Sequence, residues 1–189
     1  MCREMEIMNL TNSGADHRNG RSHILGFPVD KMSLDSCVDL LDDVINKNEK
    51  LHIVLLNAAK VIRATKNSAL AHVLRTAEFV GADGVPIVWA SKLLGDPLPG
   101  RINGTDLMNR LIERSACKGY RIFFLGATQQ VIEKAITNLK RIYPTLQVAG
   151  YRNGYFDSEE AEKAAVEQVN ASNAHILLVG MSTPMKEFW

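Results

Sequence analysis

The sequence predicts an α/β fold: a Rossmann-like domain with a largely parallel sheet and helices on both faces. Three observations carry that expectation. Apolar runs of strand length, such as LHIVLL at 51–56 and YRIFFL at 120–125, are near-continuous, as in strands covered on both faces. Stretches with helical apolar spacing separate them, the alternation of a βαβ chain. Asn57, Asp83, Gly126 and Gly180 each close a strand-like run. Ligands of such sheets sit beyond the C-terminal strand ends, so these four residues outline one rim.

In order along the chain, the first 22 residues (MCREMEIMNLTNSGADHRNGRS) are polar, lack a signal-peptide core and read as a loose tail. Residues 23–189 are then a single domain. Ile24 to Val29 predicts the first strand. Ser33 suits a helix N-cap, with Leu34, Cys37, Leu41, Val44 and Ile45 at helical spacing behind it. Asp42 and Asp43 are assigned to that helix's wet face. Leu51 to Leu56 is a strand that delivers Asn57, and the helix after it restarts near Asn67, burying Leu70, Val73 and Leu74. Glu78 to Ala82 is a strand that delivers Asp83. Pro86 fits the first turn of the next helix, and Gly95 its stop. After DPLPGRING, Thr105 and Asp106 open a helix with Leu107, Leu111 and Ile112 on its apolar face and Gly119 at its end. Tyr120 to Leu125 is a strand, Gly126 a turn, and Val131 to Ile142 a helix stopped by Pro144. A strand at Leu146 to Ala149, a helix from Ser158 to Val169 and a strand from Ala174 to Val179 follow. MSTPMKEFW reads as a strand-to-helix turn and one helical turn, the ending expected of a truncated chain.

Composition bounds the function. With 189 residues the chain suits one domain, burying about 70% of its unfolded surface. A net charge of +1 and the absence of any Lys/Arg block give no argument for nucleic acid. Cys2, Cys37 and Cys117 are dispersed without CxxC spacing, which favours a reducing, cytoplasmic setting. No apolar run approaches the ~20 residues that span a bilayer, so any membrane contact is expected to be peripheral or to lie in sequence outside this chain. The histidines are scattered and no Asp-x-Asp occurs, so no metal site is expected. GxGxxG, GxxxxGK[ST] and GxSxG are all absent, which disfavours a Rossmann dehydrogenase, a P-loop NTPase and a serine hydrolase.

The densest chemistry lies in GADGVPIVWASKLLGDPLPGRINGTDL, Gly81 to Leu107. Asp83 between glycines suits either a helix cap or a general base with room for a substrate. Asn57 suits a turn residue or a ligand contact. Arg101 is either a solvated loop cation or a partner for a diphosphate, which its planar fork of donors matches. Thr105 and Asp106 fit a helix N-cap and first turn, with ligand contact as a second role. Gly126-Ala127-Thr128 follows a strong strand and opens a helix, where free N–H groups and the positive dipole end suit a phosphate. The loop YRNGYFD offers aromatic faces for a base or sugar; its plainer reading is a Gly turn anchored by buried aromatics.

Six short motifs in register, Asn57-Ala58-Ala59-Lys60, Gly81-Ala82-Asp83-Gly84, Leu98-Pro99-Gly100-Arg101, Gly104-Thr105-Asp106-Leu107, Phe124-Leu125-Gly126 and Gly154-Tyr155-Phe156, resemble the WecG/TagA/CpsF glycosyltransferase family. The resemblance runs from about Ile24 to Trp189. It implies an inverting, metal-independent bacterial enzyme without a cofactor, one that moves a sugar such as N-acetylmannosamine from a UDP-sugar. The acceptor it implies is a polyprenyl-diphosphate-linked GlcNAc or similar lipid, in the synthesis of teichoic acid linkage units, common antigen or exopolysaccharide. It also implies a cytoplasmic protein peripheral to the inner face of the plasma membrane, and it leaves a homo-oligomer open.

Carried over by position, Asp83 matches the catalytic base, and Asn57, Arg101, Thr105 and Asp106 match substrate-binding positions. Gly126, Ala127, Gly154, Tyr155 and Gly180 match the region of the nucleotide. The chain reads Ser182-Thr183-Pro184-Met185-Lys186-Glu187 where the family usually has Gly-Ser-Pro-x-Gln-Glu, so Lys186 stands in place of Gln. The family's C-terminal membrane-associated tail is expected to be lacking. The alternative is a non-catalytic UDP-binding fragment or assembly module of the same family.

Overall fold

The computed structural model describes residues 20–189; the expected tail up to residue 19, with Cys2, lies outside the described residues. The first predicted strand is in fact a hairpin. β1 (Arg21–Ile24) and β2 (Phe27–Asp30) pair antiparallel around Leu25 and Gly26, both at positive φ. Its apolar run hides the reversal, and Gly26 is the local signal for it. β1 starts at Arg21, two residues ahead of the expected domain start.

The remaining elements alternate as predicted. They are α1 (Leu34–Asn46), β3 (Ile53–Leu56), α2 (Ala58–Ala64), α3 (Ser68–Thr76), β4 (Phe79–Ala82), α4 (Val85–Leu93) and α5 (Gly104–Lys118), then β5 (Arg121–Gly126), α6 (Gln129–Ile142), β6 (Gln147–Arg152), α7 (Glu159–Ala171), β7 (Ile176–Gly180) and α8 (Met185–Phe188). Ser33, Asn67 and Ser158 cap α1, α3 and α7 by accepting backbone N–H bonds. Gly119 closes α5 in the left-handed region.

The α/β class holds, with the parallel pairing in two blocks. β3 pairs with β4, and β5 lies between β6 and β7, all in parallel. The β6–α7–β7 crossover passes over β5 to reach its other edge. At that point the strand order reverses, and such a reversal leaves a crevice at the C-terminal ends.

The β3–β4 pair is packed on both faces. Val54, Leu56, Val80 and Ala82 point into a core built with the hairpin, α2, α3 and α4. Ile53, Leu55 and Phe79 point into a second core with α1, α5, β5 and α6. Period-2 alternation thus feeds two cores from one strand pair, which is why the runs look continuously apolar. Buried Asp30 closes the exposed edge of β4: its Oδ2 accepts the Val80 N–H at 2.7 Å, and its Oδ1 accepts Arg21 Nε at 2.9 Å.

Asp42 is not on a wet face. It is buried and accepts Arg114 Nη1 at 2.6 Å and Lys118 Nζ at 2.8 Å, while Arg114 also reaches Asp39. The basic side of α5 turns that side of α1 into an interface, and Asp42 holds the Lys118 ammonium above its usual pKa. Asp43 is exposed as expected.

Candidate active site

Asp83 stands one residue beyond β4, its N–H bonded to Leu56 O at 2.8 Å, so the β3–β4 ladder runs up to it. It is not a helix cap. The N-cap of α4 is Gly84, at φ 102°, a conformation open to glycine. The half-buried Asp83 carboxylate meets two asparagine side chains instead. Asn57 Nδ2 donates to Oδ2 at 3.4 Å, and Asn103 Nδ2 donates to Oδ1 at 3.5 Å.

Both asparagines are helix N-caps, and that fixes which way their amides point. Asn57 Oδ1 accepts the Lys60 N–H that starts α2, and Asn103 Oδ1 accepts the Thr105 and Asp106 N–H groups that start α5. Each amide NH2 is thereby left to face Asp83. The two bonds are long, and they leave lone pairs on both oxygens. The beginnings of α2, α4 and α5 meet here, and helix N-termini favour an anion nearby.

Thr105 and Asp106 lie in the first turn of α5, with exposed side chains. The cap expected at Thr105 belongs to Asn103, since Gly104 is already helical. Arg101 is exposed. Its loop is tied to the strand end by Ile102 N–H donating to Ala82 O at 2.7 Å, which keeps Arg101 beside the Asp83 corner.

The second feature is an open cleft of about 510 Å³ beyond β5, β6 and β7, lined by Ala127, Gly154–Glu159, Glu162, Gly180–Ser182 and Met185. Ala127, Gly154, Tyr155 and Gly180 all reach it; Gly126 lies beneath. Three backbones form its floor. A Cβ on Gly126 would collide with the Gly180 backbone, and one on Gly154 would stand 2.8 Å from Gly126 Cα. Ala127 N–H donates to Gly180 O at 3.3 Å and Ala127 O accepts Gly154 N–H at 3.1 Å. That N–H, expected to be free for a phosphate, is therefore engaged in the floor. The aromatic loop divides its two readings. Phe156 stacks on Trp189 and has the Arg152 guanidinium 5.9 Å from its ring centre, while Tyr155 is 73% exposed at the cleft.

A model of the glycosyl transferase WecG/TagA/CpsF family matches residues 22–189. The chain belongs to that family. It is similar to an N-acetylglucosaminyldiphosphoundecaprenol N-acetyl-beta-D-mannosaminyltransferase of Bacillus spizizenii, 33% identical over 77% of this chain and 55% of the relative. A Staphylococcus aureus protein of the same description is 30% identical over 88% of this chain and 65% of the relative. The chain thus spans between half and two thirds of the length of these relatives.

Within this WecG/TagA/CpsF domain the structure adds residues that sequence reading passed over. Asn103 is one; an Asn just ahead of Gly-Thr-Asp is the signal for it, since Asn is a preferred N-cap. Lys60 is another. It is buried and donates to Leu55 O at 2.6 Å and to Glu187 Oε1 at 2.7 Å. Burial pushes the Lys60 ammonium below its usual pKa, against the opposing pull of Glu187 and, more weakly, Asp83. Glu187 is buried too, its Oε1 also accepting from Thr183 Oγ1 at 3.2 Å while Oε2 has no partner among the described residues. Among the described residues no group of three His, Cys, Asp or Glu side chains is arranged to hold a metal, and no helix is long and apolar enough to cross a membrane.

Proposed function

We propose that this chain carries the catalytic core of an inverting glycosyltransferase. It moves N-acetylmannosamine or a related sugar from a UDP-sugar to a polyprenyl-diphosphate-linked GlcNAc. The observation that carries this reading is the Asp83 carboxylate, fixed at a strand end by two capping asparagines in a chain whose relatives are named for that transfer.

In the reaction, an Asp83 oxygen takes the proton of the acceptor hydroxyl as its oxygen attacks the anomeric carbon. The bond to the UDP oxygen breaks, the electron pair leaves with UDP, and the configuration inverts. Asn57 and Asn103 keep the carboxylate aimed, a positioning contribution to the rate. Arg101, by the same corner, supplies a forked cation for a diphosphate. Thr105 and Asp106, on the first exposed turn of α5, suit acceptor hydroxyls. No metal or cofactor has a step in this scheme.

The cleft suits the nucleoside. Tyr155 offers a ring face to the uracil, and Asp157, Glu159 and Glu162 are acceptors for ribose hydroxyls. Among the described residues no Lys or Arg lines the cleft, so a diphosphate would take its cation from outside the lining, at Arg101 of the Asp83 corner.

Peripheral attachment to the cytoplasmic membrane face fits a lipid-linked acceptor. The surface that suits it is α4, which leaves the Asp83 corner and exposes Val85, Trp89 and Leu93 at four-residue spacing, at 41%, 68% and 90%.

The test is transfer from a panel of radiolabelled UDP-sugars to a polyprenyl-diphosphate-GlcNAc acceptor, with wild type beside Asp83→Asn. Transfer lost on substitution supports the enzyme. UDP binding without transfer from any donor supports the binding-module alternative, and neither activity sinks both.

A further inference from the structure

The segment from Gly180 to Phe188 touches both halves of the site. Gly180, Met181, Ser182 and Met185 line the cleft. Its other side is fastened to α2: Arg63 Nη1 donates to Thr183 O at 2.7 Å, and Lys60 Nζ meets Glu187 Oε1 at 2.7 Å. Lys60 also holds Leu55 O, on the strand that leads to Asn57. Asn57 caps α2 and reaches Asp83. A continuous run of bonds therefore joins the wall of the cleft to the carboxylate.

We propose that Lys60 and Glu187 are positioning residues that couple occupation of the cleft to the placement of Asp83. The proposal rests on the reading of the cleft as a nucleotide site and of Asp83 as the base. A buried ion pair is a poor choice for stability alone, because desolvation of both charges offsets their attraction and an apolar pair of similar volume often holds as well. Among the described residues Glu187 Oε2 is also buried without a partner, and an unpaired buried acceptor carries a cost. What ions add is direction: the pair fixes one register of α8 against α2, and with it the place of Met181, Ser182 and Met185 relative to Asn57. Filling the cleft steadies α8, α8 steadies Lys60, and α2 passes that to the Asn57–Asp83 contact.

The test uses the full chain and the variants Lys60→Met, Glu187→Gln and Lys60→Arg, each well below its melting temperature, with UDP as the probe. UDP affinity, kcat in the transfer assay and amide hydrogen exchange are measured together. Lys60→Met and Glu187→Gln are expected to weaken UDP binding about tenfold and to lower kcat, within the 5–150-fold range of coupled sites. Exchange at the Lys186, Glu187 and Phe188 amides should quicken. UDP should slow exchange at the Val61 and Asp83 amides in wild type and no longer do so in Lys60→Met, and Lys60→Arg should recover most of both effects. A lower melting temperature with UDP affinity, kcat and the transmitted protection all unchanged overturns the proposal and leaves an ordinary structural contact. Wild type that neither binds UDP nor transfers sugar fails the functional reading itself, visible before any variant is compared, and the coupling falls with it.

Discussion

Asn103 serves two masters: its Oδ1 starts α5 by accepting the Thr105 and Asp106 N–H groups, while its Nδ2 stands 3.5 Å from Asp83 Oδ1. The two roles separate by substitution. Asn103→Ser keeps a capping oxygen and loses the reach to Asp83, so it should melt near wild type while kcat falls about tenfold. Asn103→Ala should lose about 1 kcal/mol of stability as well. Denaturant unfolding beside transfer kinetics reads both, and an Asn103→Ser enzyme with wild-type kcat would remove Asn103 from the positioning of the base.

Asp83→Asn keeps the size but cannot take a proton, and its one amide oxygen can accept from only one of the two asparagines that donate to Asp83. It should lower kcat by about 10²–10⁴-fold, the usual worth of general base catalysis, with little change in UDP affinity. Single-turnover transfer with calorimetry of UDP binding checks the split.

With no metal in the proposed chemistry, exhaustive dialysis against EDTA should leave transfer unchanged. A loss restored by a divalent cation would shift the leaving-group chemistry from Arg101 to a metal.

Tyr155→Ala should weaken UDP binding by about 1–3 kcal/mol, the worth of one base–aromatic stack, whereas Tyr155→Phe should keep it. Equal affinity in all three proteins would place the base elsewhere.

Stability above pH 9 should carry the mark of Cys37. The thiol is buried, and burial, with a smaller push from Asp30, raises its pKa from 9.0 to about 12. Below 9 it is protonated in both states. Between 9 and 12 the unfolded chain loses that proton and the folded chain keeps it, so stability falls as pH rises, by up to about 1.4 kcal/mol per unit. Comparing Cys37→Val with wild type isolates this slope from other groups, and parallel pH profiles would refute it.

Much of the fold was open to reading because its cues are local. Ser33, Asn67 and Ser158 announce helix starts within a few residues, and the strands betray themselves by unbroken apolar runs. Asp83 and Asn57 could be found because each directly follows such a run. The misses share a different cause, which is distance along the chain. Asp42 looks solvated until α5 brings Arg114 and Lys118 against it, more than seventy positions later. Lys60 and Glu187 stand in the sequence only as members of two separate motifs, and only the folded chain brings them together. The hairpin at Leu25-Gly26 was hidden because the apolar run from Ile24 to Val29 continues through the reversal, which is marked by one glycine.

The floor beneath Tyr155 is made of peptide groups from Gly126, Gly154 and Gly180, packed so closely that side chains have no place there. A surface built from main chain cannot be retuned by ordinary substitution. Variation in the shape and charge of this cleft is then confined to its rim, residues 155–162 and 181–185.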